Sequence, residues 1–128
     1  IEQGWAPTLM QKKQVLIYLK KNSSPYPQIV AHNILTSQER ILTSGTTIDL
    51  YPRVLPYKNN EHLVFSRYVD DHNDDGTVNK LDKASLWSIP LTQKVLSLDI
   101  FPTAITVTAG NKADLFPCTN EYSLFFSR

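Results

Sequence analysis

Two phrases of this chain, TSGTTIDLYP at 43–52 and TAGNKADLFP at 108–117, match at a single offset. Thr43 pairs with Thr108, Gly45 with Gly110, Asp49 with Asp114, Leu50 with Leu115, Tyr51 with Phe116 and Pro52 with Pro117, each 65 positions apart. Downstream, NNEHLVFSR at 59–67 is echoed by TNEYSLFFSR at 119–128 after a few residues are dropped. A fainter third copy opens the chain as Gly4-Trp5-Ala6-Pro7, followed by Lys12-Lys13-Gln14 and the apolar run Val15-Leu16-Ile17-Tyr18. The repeats therefore start near residues 4, 49 and 114. A chain built this way is constrained to stack like units, because one short repeat cannot bury its apolar face alone.

Each repeat has the same local grammar. A Pro-led segment such as Pro52-Arg53-Val54-Leu55 is followed by a polar turn and then by a β-branched and aromatic run such as His62-Leu63-Val64-Phe65-Ser66. Short apolar runs punctuated by turn residues predict strands over 14–19, 28–34, 39–43, 52–56, 62–68, 85–91, 94–98, 104–108 and 122–127. Prolines at 25, 27, 52, 56, 90, 102 and 117 exclude a long helix. The spacing from Pro7 to Pro52 is 45 residues, whereas that from Pro52 to Pro117 is 65. The second repeat carries an acidic stretch that, together with its flanks, is about the excess length and reads as an insertion between two adjacent strands.

All-β repeats of about 40–50 residues are the pattern of propeller blades. The phrase ILTSGTTIDLYPRVLPYKNNEHLVFSR resembles the repeat of TolB-like β-propellers, with a Leu-Thr, an acid, an aromatic-Pro pair, a polar turn and an apolar strand ending in Ser. YVDDHNDDGTVNKLDKASLWSIPL resembles a variant blade with a calcium-type loop inserted. The chain departs from the family at Pro56-Tyr57-Lys58-Asn59-Asn60, where a Ser-Pro-Asp-Gly turn is usual. The resemblance implies an extracytoplasmic propeller, usually six-bladed, that binds other proteins, and it brings no catalytic residues with it. The expected fold is an all-β propeller segment of two to three four-stranded antiparallel blades. The third copy stops at Ser127-Arg128, which match Ser66-Arg67 in mid-blade. Unpaired strand edges are an aggregation hazard, so the remaining blades are expected from the same protein or from a second chain. A free-standing sandwich of the same strands is the structural alternative.

The acidic insertion reads DHNDDGTVNKLD at 71–82. Asp71, Asn73, Asp75, Gly76, Thr77, Asn79 and Asp82 stand at positions 1, 3, 5, 6, 7, 9 and 12 of an EF-hand-type calcium loop. Calcium takes six to eight oxygens, and alternate residues of a tight turn can aim them at one point. The predicted ligands are the side chains of Asp71, Asn73, Asp75, Asn79 and Asp82 and the carbonyl of Thr77, with Gly76 permitting the bend. Asp82 is shorter than the bidentate glutamate usual at position 12, and the loop resembles dockerin loops in using aspartate there. Asp-Asp-Gly also reads as a simple hairpin turn, but its clustered carboxylates repel one another unless a cation or solvent screens them. The flanks Leu63-Val64-Phe65 and Leu86-Trp87-Ser88-Ile89 read as strands, so the ion is expected to pin a loop rather than open a helix pair.

Other chemistries find less support. His62 sits in a strand and His72 at loop position 2, which points away from the ion, so no imidazole cluster for a transition metal is visible. No G-x-S-x-G elbow occurs, and the chain is read as non-enzymatic. Cys118, the single cysteine, reads as a small buried hydrophobe and permits no internal disulfide. Asn22-Ser23-Ser24 fits a glycosylation sequon. Trp5, Tyr51, Phe101 and Phe116, near prolines, read as core packing between repeats rather than as a ligand rim. A net charge of +1 and the absence of a dense Lys/Arg block give no case for electrostatic attraction to nucleic acid or membrane. The longest apolar runs are too short to span a membrane as a helix. The sequence begins at Ile1 rather than Met, which is read as a processed or trimmed product, so a missing leader says nothing about export. The periplasmic or secreted location is what the TolB-like resemblance implies. Two other functions fit the same residues: the propeller of a hydrolase whose catalytic domain lies elsewhere, or a calcium-stabilised carbohydrate-binding module.

Overall fold

The aromatic- or Ala-Pro pairs set the frame of each sheet. In the computed structural model, which describes residues 4–10, 14–57, 60–69, 71, 73–80, 82–91, 103–104, 115–119 and 124–127, the regular elements are all strands. The first sheet is an antiparallel meander of β1 (Gly4–Met10), β2 (Val15–Lys20), β3 (Gln28–Asn33) and β4 (Glu39–Ile41). The second repeats that order with β5 (Ile48–Tyr57), β6 (Asn60–Tyr68), β7 (Ala84–Leu91) and β8 (Thr103–Ala104). A third begins with the hairpin of β9 (Leu115–Thr119) and β10 (Leu124–Ser127).

The first hairpins of the three sheets share one register. Trp5 faces Leu19 and Thr8 faces Ile17 in the first sheet, with a bulge between them. Leu50 faces Ser66 and Arg53 faces Val64 across the corresponding bulge of the second. Leu115 faces Ser127 and Cys118 faces Phe125 in the third, again across a bulge. Each bulge holds the X-Pro pair: Ala6-Pro7, Tyr51-Pro52 or Phe116-Pro117. Proline has no N–H for a ladder, so a bulge is where a strand can accept it. Ala6 (φ 52°) and Tyr51 (φ 56°) both turn into the left-handed region at this point. A strand read as starting at Pro52 therefore begins at Ile48 and runs through the bulge, and β1 and β9 are strands that the prolines had hidden. The expected strand 94–98 lies outside the described residues, and of 104–108 only Ala104 falls within them.

The sheets face one another in sequence order. Met10, Val15, Ile17, Leu19, Ile29, Ala31 and Leu42 of the first sheet form one buried cluster with Leu63, Phe65, Ile89 and Leu91 of the second. Val54 and Trp87 pack against it, and the Val54 N–H donates to Thr8 Oγ1 at 3.1 Å, joining β5 to β1. A fully buried aliphatic side chain contributes about 1.5–3 kcal/mol, so this cluster outweighs the single cross-sheet bond, worth about 1 kcal/mol. Alternation along the strands puts Leu55, Val64 and Leu86 on the opposite face of the second sheet, where they form a separate buried cluster. β9 lies against β5, β6 and β7. Tyr51 joins the main core, whereas Trp5 is 42% exposed, so the aromatics near the prolines do not all pack alike.

Candidate metal loop

The acidic insertion spans 69–83 and closes the β6–β7 hairpin, whose last pair is Tyr68 with Ala84. It is a long connection between two directly paired strands. Val78 anchors it by packing against the main core, and Asp82 is buried.

Its acids turn their oxygens inward onto the loop's own N–H groups. Asp71 Oδ1 accepts from the Asp75 N–H at 3.2 Å and its Oδ2 from the Gly76 N–H at 2.7 Å. Asn73 Oδ1 also accepts from the Asp75 N–H. Asp75 Oδ1 accepts from both the N–H and the hydroxyl of Thr77 at 2.9 Å. Asp82 ties the two arms together, since Oδ1 takes the Asn73 N–H and Oδ2 the Asn79 N–H at 2.7 Å. The bend follows from two left-handed residues, Asp74 (φ 58°) and Gly76 (φ 88°). Aspartate tolerates that region better than most residues, and glycine has no side chain to object.

The side-chain amides fill the middle. Asn79 Nδ2 lies 3.4 Å from Asp75 Oδ2, 3.3 Å from the Thr77 carbonyl and 3.1 Å from Thr77 Oγ1. Asn73 Nδ2 donates to Asp75 Oδ2 at 3.0 Å. Hydrogen bonds, first from the Thr77 hydroxyl and then from the Thr77 N–H, hold the Asp75 carboxyl below its ordinary pKa. Of the six predicted ligands, Asp75, Thr77 and Asn79 meet directly, Asn73 joins through Asp75, and Asp71 and Asp82 brace the turn from either end. Among the described residues no group of three or more His, Cys, Asp or Glu side chains is arranged to hold a metal ion. The Asp71 and Asp82 carboxylates are committed to backbone N–H groups, while Asp75 divides its oxygens between Thr77 and the Asn73 and Asn79 amides. His72 lies outside the described residues, and half-buried His62 has its pKa lowered by burial.

A second polar centre escaped the sequence reading. Asp49, fully buried, accepts from Arg67 Nε at 2.7 Å and Arg67 Nη2 at 3.0 Å, and Thr47 Oγ1 donates to it at 3.2 Å. The two are a cross-strand pair of β5 and β6. The guanidinium also stacks over Phe65 (5.3 Å) and Trp87 (4.6 Å). The signal was present, because the repeat matches Asp49 to Asp114 and Arg67 to Arg128. The glycosylation candidate Asn22 spends its amide internally, donating to Gln28 Oε1 at 2.7 Å. Cys118 lies in β9 opposite Phe125. No helix among the described residues is long and apolar enough to cross a membrane.

The chain matches no protein-family model, no curated protein and no solved structure.

Proposed function

We propose that this chain is a calcium-stabilised segment of a β-propeller, extracytoplasmic and without catalytic activity of its own, that serves as a scaffold for binding other proteins. The observation that carries the calcium reading is the convergence of Asp75 Oδ2, the Thr77 carbonyl and Thr77 Oγ1 on one point, now filled by an amide N–H. A cation suits a point ringed by oxygens, and turning the Asn73 and Asn79 amides over would present two further oxygens there. All six candidates, Asp71, Asn73, Asp75, Thr77, Asn79 and Asp82, supply oxygen, which suits a hard cation such as calcium. Asp71 and Asp82 brace the turn through N–H groups, so a bound ion competes with bonds the loop already makes. Support for the blade reading comes from the shared register of the three first hairpins and from the sheet-to-sheet order of packing.

Calorimetry on chelator-treated protein tests the metal. Calcium is expected to bind at one site per chain, and Asp71→Ala combined with Asp75→Ala to abolish the heat. Wild-type protein that takes up no calcium at millimolar concentration, the weak end for such loops, refutes the proposal.

A further inference from the structure

The sequence holds one Asp-Gly pair, Asp75-Gly76, and no Asn-Gly pair. In an Asp-Gly pair the glycine brings no side chain to shield its nitrogen from the carboxyl carbon of the aspartate before it. Here both residues are exposed, Gly76 stands at φ 88°, and nothing lies within 4 Å of where a Cβ on it would be. No packed neighbour obstructs that side of the glycine. The hydrogen bonds act the other way. Asp71 grips the pair across two successive N–H groups, Oδ1 taking that of Asp75 at 3.2 Å and Oδ2 that of Gly76 at 2.7 Å. The Asp75 carboxylate is turned to the N–H and hydroxyl of Thr77, and its other oxygen accepts from the Asn73 amide at 3.0 Å. Bringing the Gly76 nitrogen onto Asp75 Cγ requires rotation of both the backbone and the side chain of Asp75, which breaks bonds at both ends.

We infer that Asp75-Gly76 is a self-modification site, where the peptide bond isomerises to the β-linked (isoaspartyl) form, and that Asp71 is the lock that slows it. The Gly76 nitrogen attacks Asp75 Cγ and gives up its proton, and a carboxyl oxygen leaves as water, which closes a succinimide ring. Water then adds at the Asp75 main-chain carbonyl and breaks its bond to the Gly76 nitrogen. The chain now continues through Cβ and Cγ, and the former carbonyl carbon becomes the free carboxyl. One water leaves and one enters, nothing is oxidised or reduced, and the mass is unchanged. The product carries one extra main-chain atom in the turn and has lost the side-chain carboxyl that bound Thr77. The step needs only water and is independent of calcium.

Peptide mapping by mass spectrometry that separates the β-linked isomer tests it, on the full chain incubated with a chelator. In urea the unfolded chain is expected to accumulate the isomer at Asp75. The folded wild type should do so about tenfold or more slowly, the scale of one hydrogen bond to a carboxylate. Asp71→Ala should bring the folded rate close to the unfolded one while keeping the wild-type circular dichroism. Lys80→Ala, which alters the same loop where it lies over the Tyr51 ring, should leave the rate slow. No isomer from the unfolded chain, equal rates folded and unfolded, or an Asp71→Ala rate no faster than wild type overturns the inference. A slower rate in Asp71→Ala would make that carboxylate a base that assists ring closure, the reverse of a lock. Lys80→Ala matching Asp71→Ala overturns the assignment to Asp71. Hydrogen exchange of the wild type reads the lock without any variant, since the Gly76 amide should exchange about tenfold or more slowly than in the unfolded chain. A Gly76 amide that exchanges at the unfolded rate overturns it as well.

Discussion

The first and second sheets use one strand plan to hold charge in opposite ways. β2 ends at Lys20, opposite Gly4, and β6 carries Arg67 at the matching place, opposite Asp49. Gly4 leaves no room for an acid, because even a Cβ there would come within 2.4 Å of the Tyr18 ring. Lys20 turns instead to Glu39, 2.8 Å away on β4, in a pair whose side chains stay about a third exposed. In the second sheet the same step is a buried, two-pronged pair capped by Phe65 and Trp87. The connections that follow differ in the same sense. In the turn over 21–27, Lys21 Nζ donates to the carbonyls of Ser24 and Pro25, so that turn carries its own cation. The loop over 69–83 gathers carboxylates, while its Lys80 lies over the Tyr51 ring. One repeat neutralises itself at the surface; the other buries one charge pair and carries an oxygen-rich loop.

The largest expected effect breaks the buried pair. Arg67→Ala leaves the Asp49 carboxylate in the core without its partner and should cost about 3–5 kcal/mol in urea denaturation. Lys20→Ala at the matching place should cost about 0–1 kcal/mol, because its pair is exposed and screened. Equal losses for the two variants would erase the distinction between the sheets.

Titration gives a smaller effect of opposite sign at the two ends of the pH scale. Burial first, and then the bond to Glu39, raises the Tyr18 hydroxyl to about 12, and burial raises Tyr68 to about 12 as well. A raised folded value means the stability these groups contribute is complete below the unfolded value near 10 and is lost as pH climbs towards about 12. Alkaline melts should therefore fall through that window, and Tyr18→Phe should remove part of the slope. The Glu39 carboxyl is lowered, by Lys20 first, and Asp75 by Thr77. Their contributions are present above the ordinary carboxylate range and disappear as pH falls through their lowered values. In acid, protection of the Thr77 amide should be lost with the protonation of Asp75.

What was legible in the sequence followed from local chemistry. The turn residues and β-branched runs gave most strands, and the spacing from Asp71 to Asp82 gave the loop. The prolines misled, because a bulge admits them within a strand, so β1, β9 and the start of β5 were overlooked. The commitment of Asp71 and Asp82 to backbone N–H groups depends on the φ values at Asp74 and Gly76, which spacing does not report. Asp49 and Arg67 stand far apart in sequence and become partners only through the register of β5 and β6.

The proposed cation belongs to the β6–β7 loop and not to its counterpart over 21–27. The most direct measurement follows backbone amide NMR signals during a calcium titration of chelator-treated protein. Large shifts at Asp75, Gly76, Thr77 and Asn79, with Lys21 to Tyr26 unmoved, are the predicted result. Unchanged loop amides at millimolar calcium, or equal shifts in both connections, would contradict it.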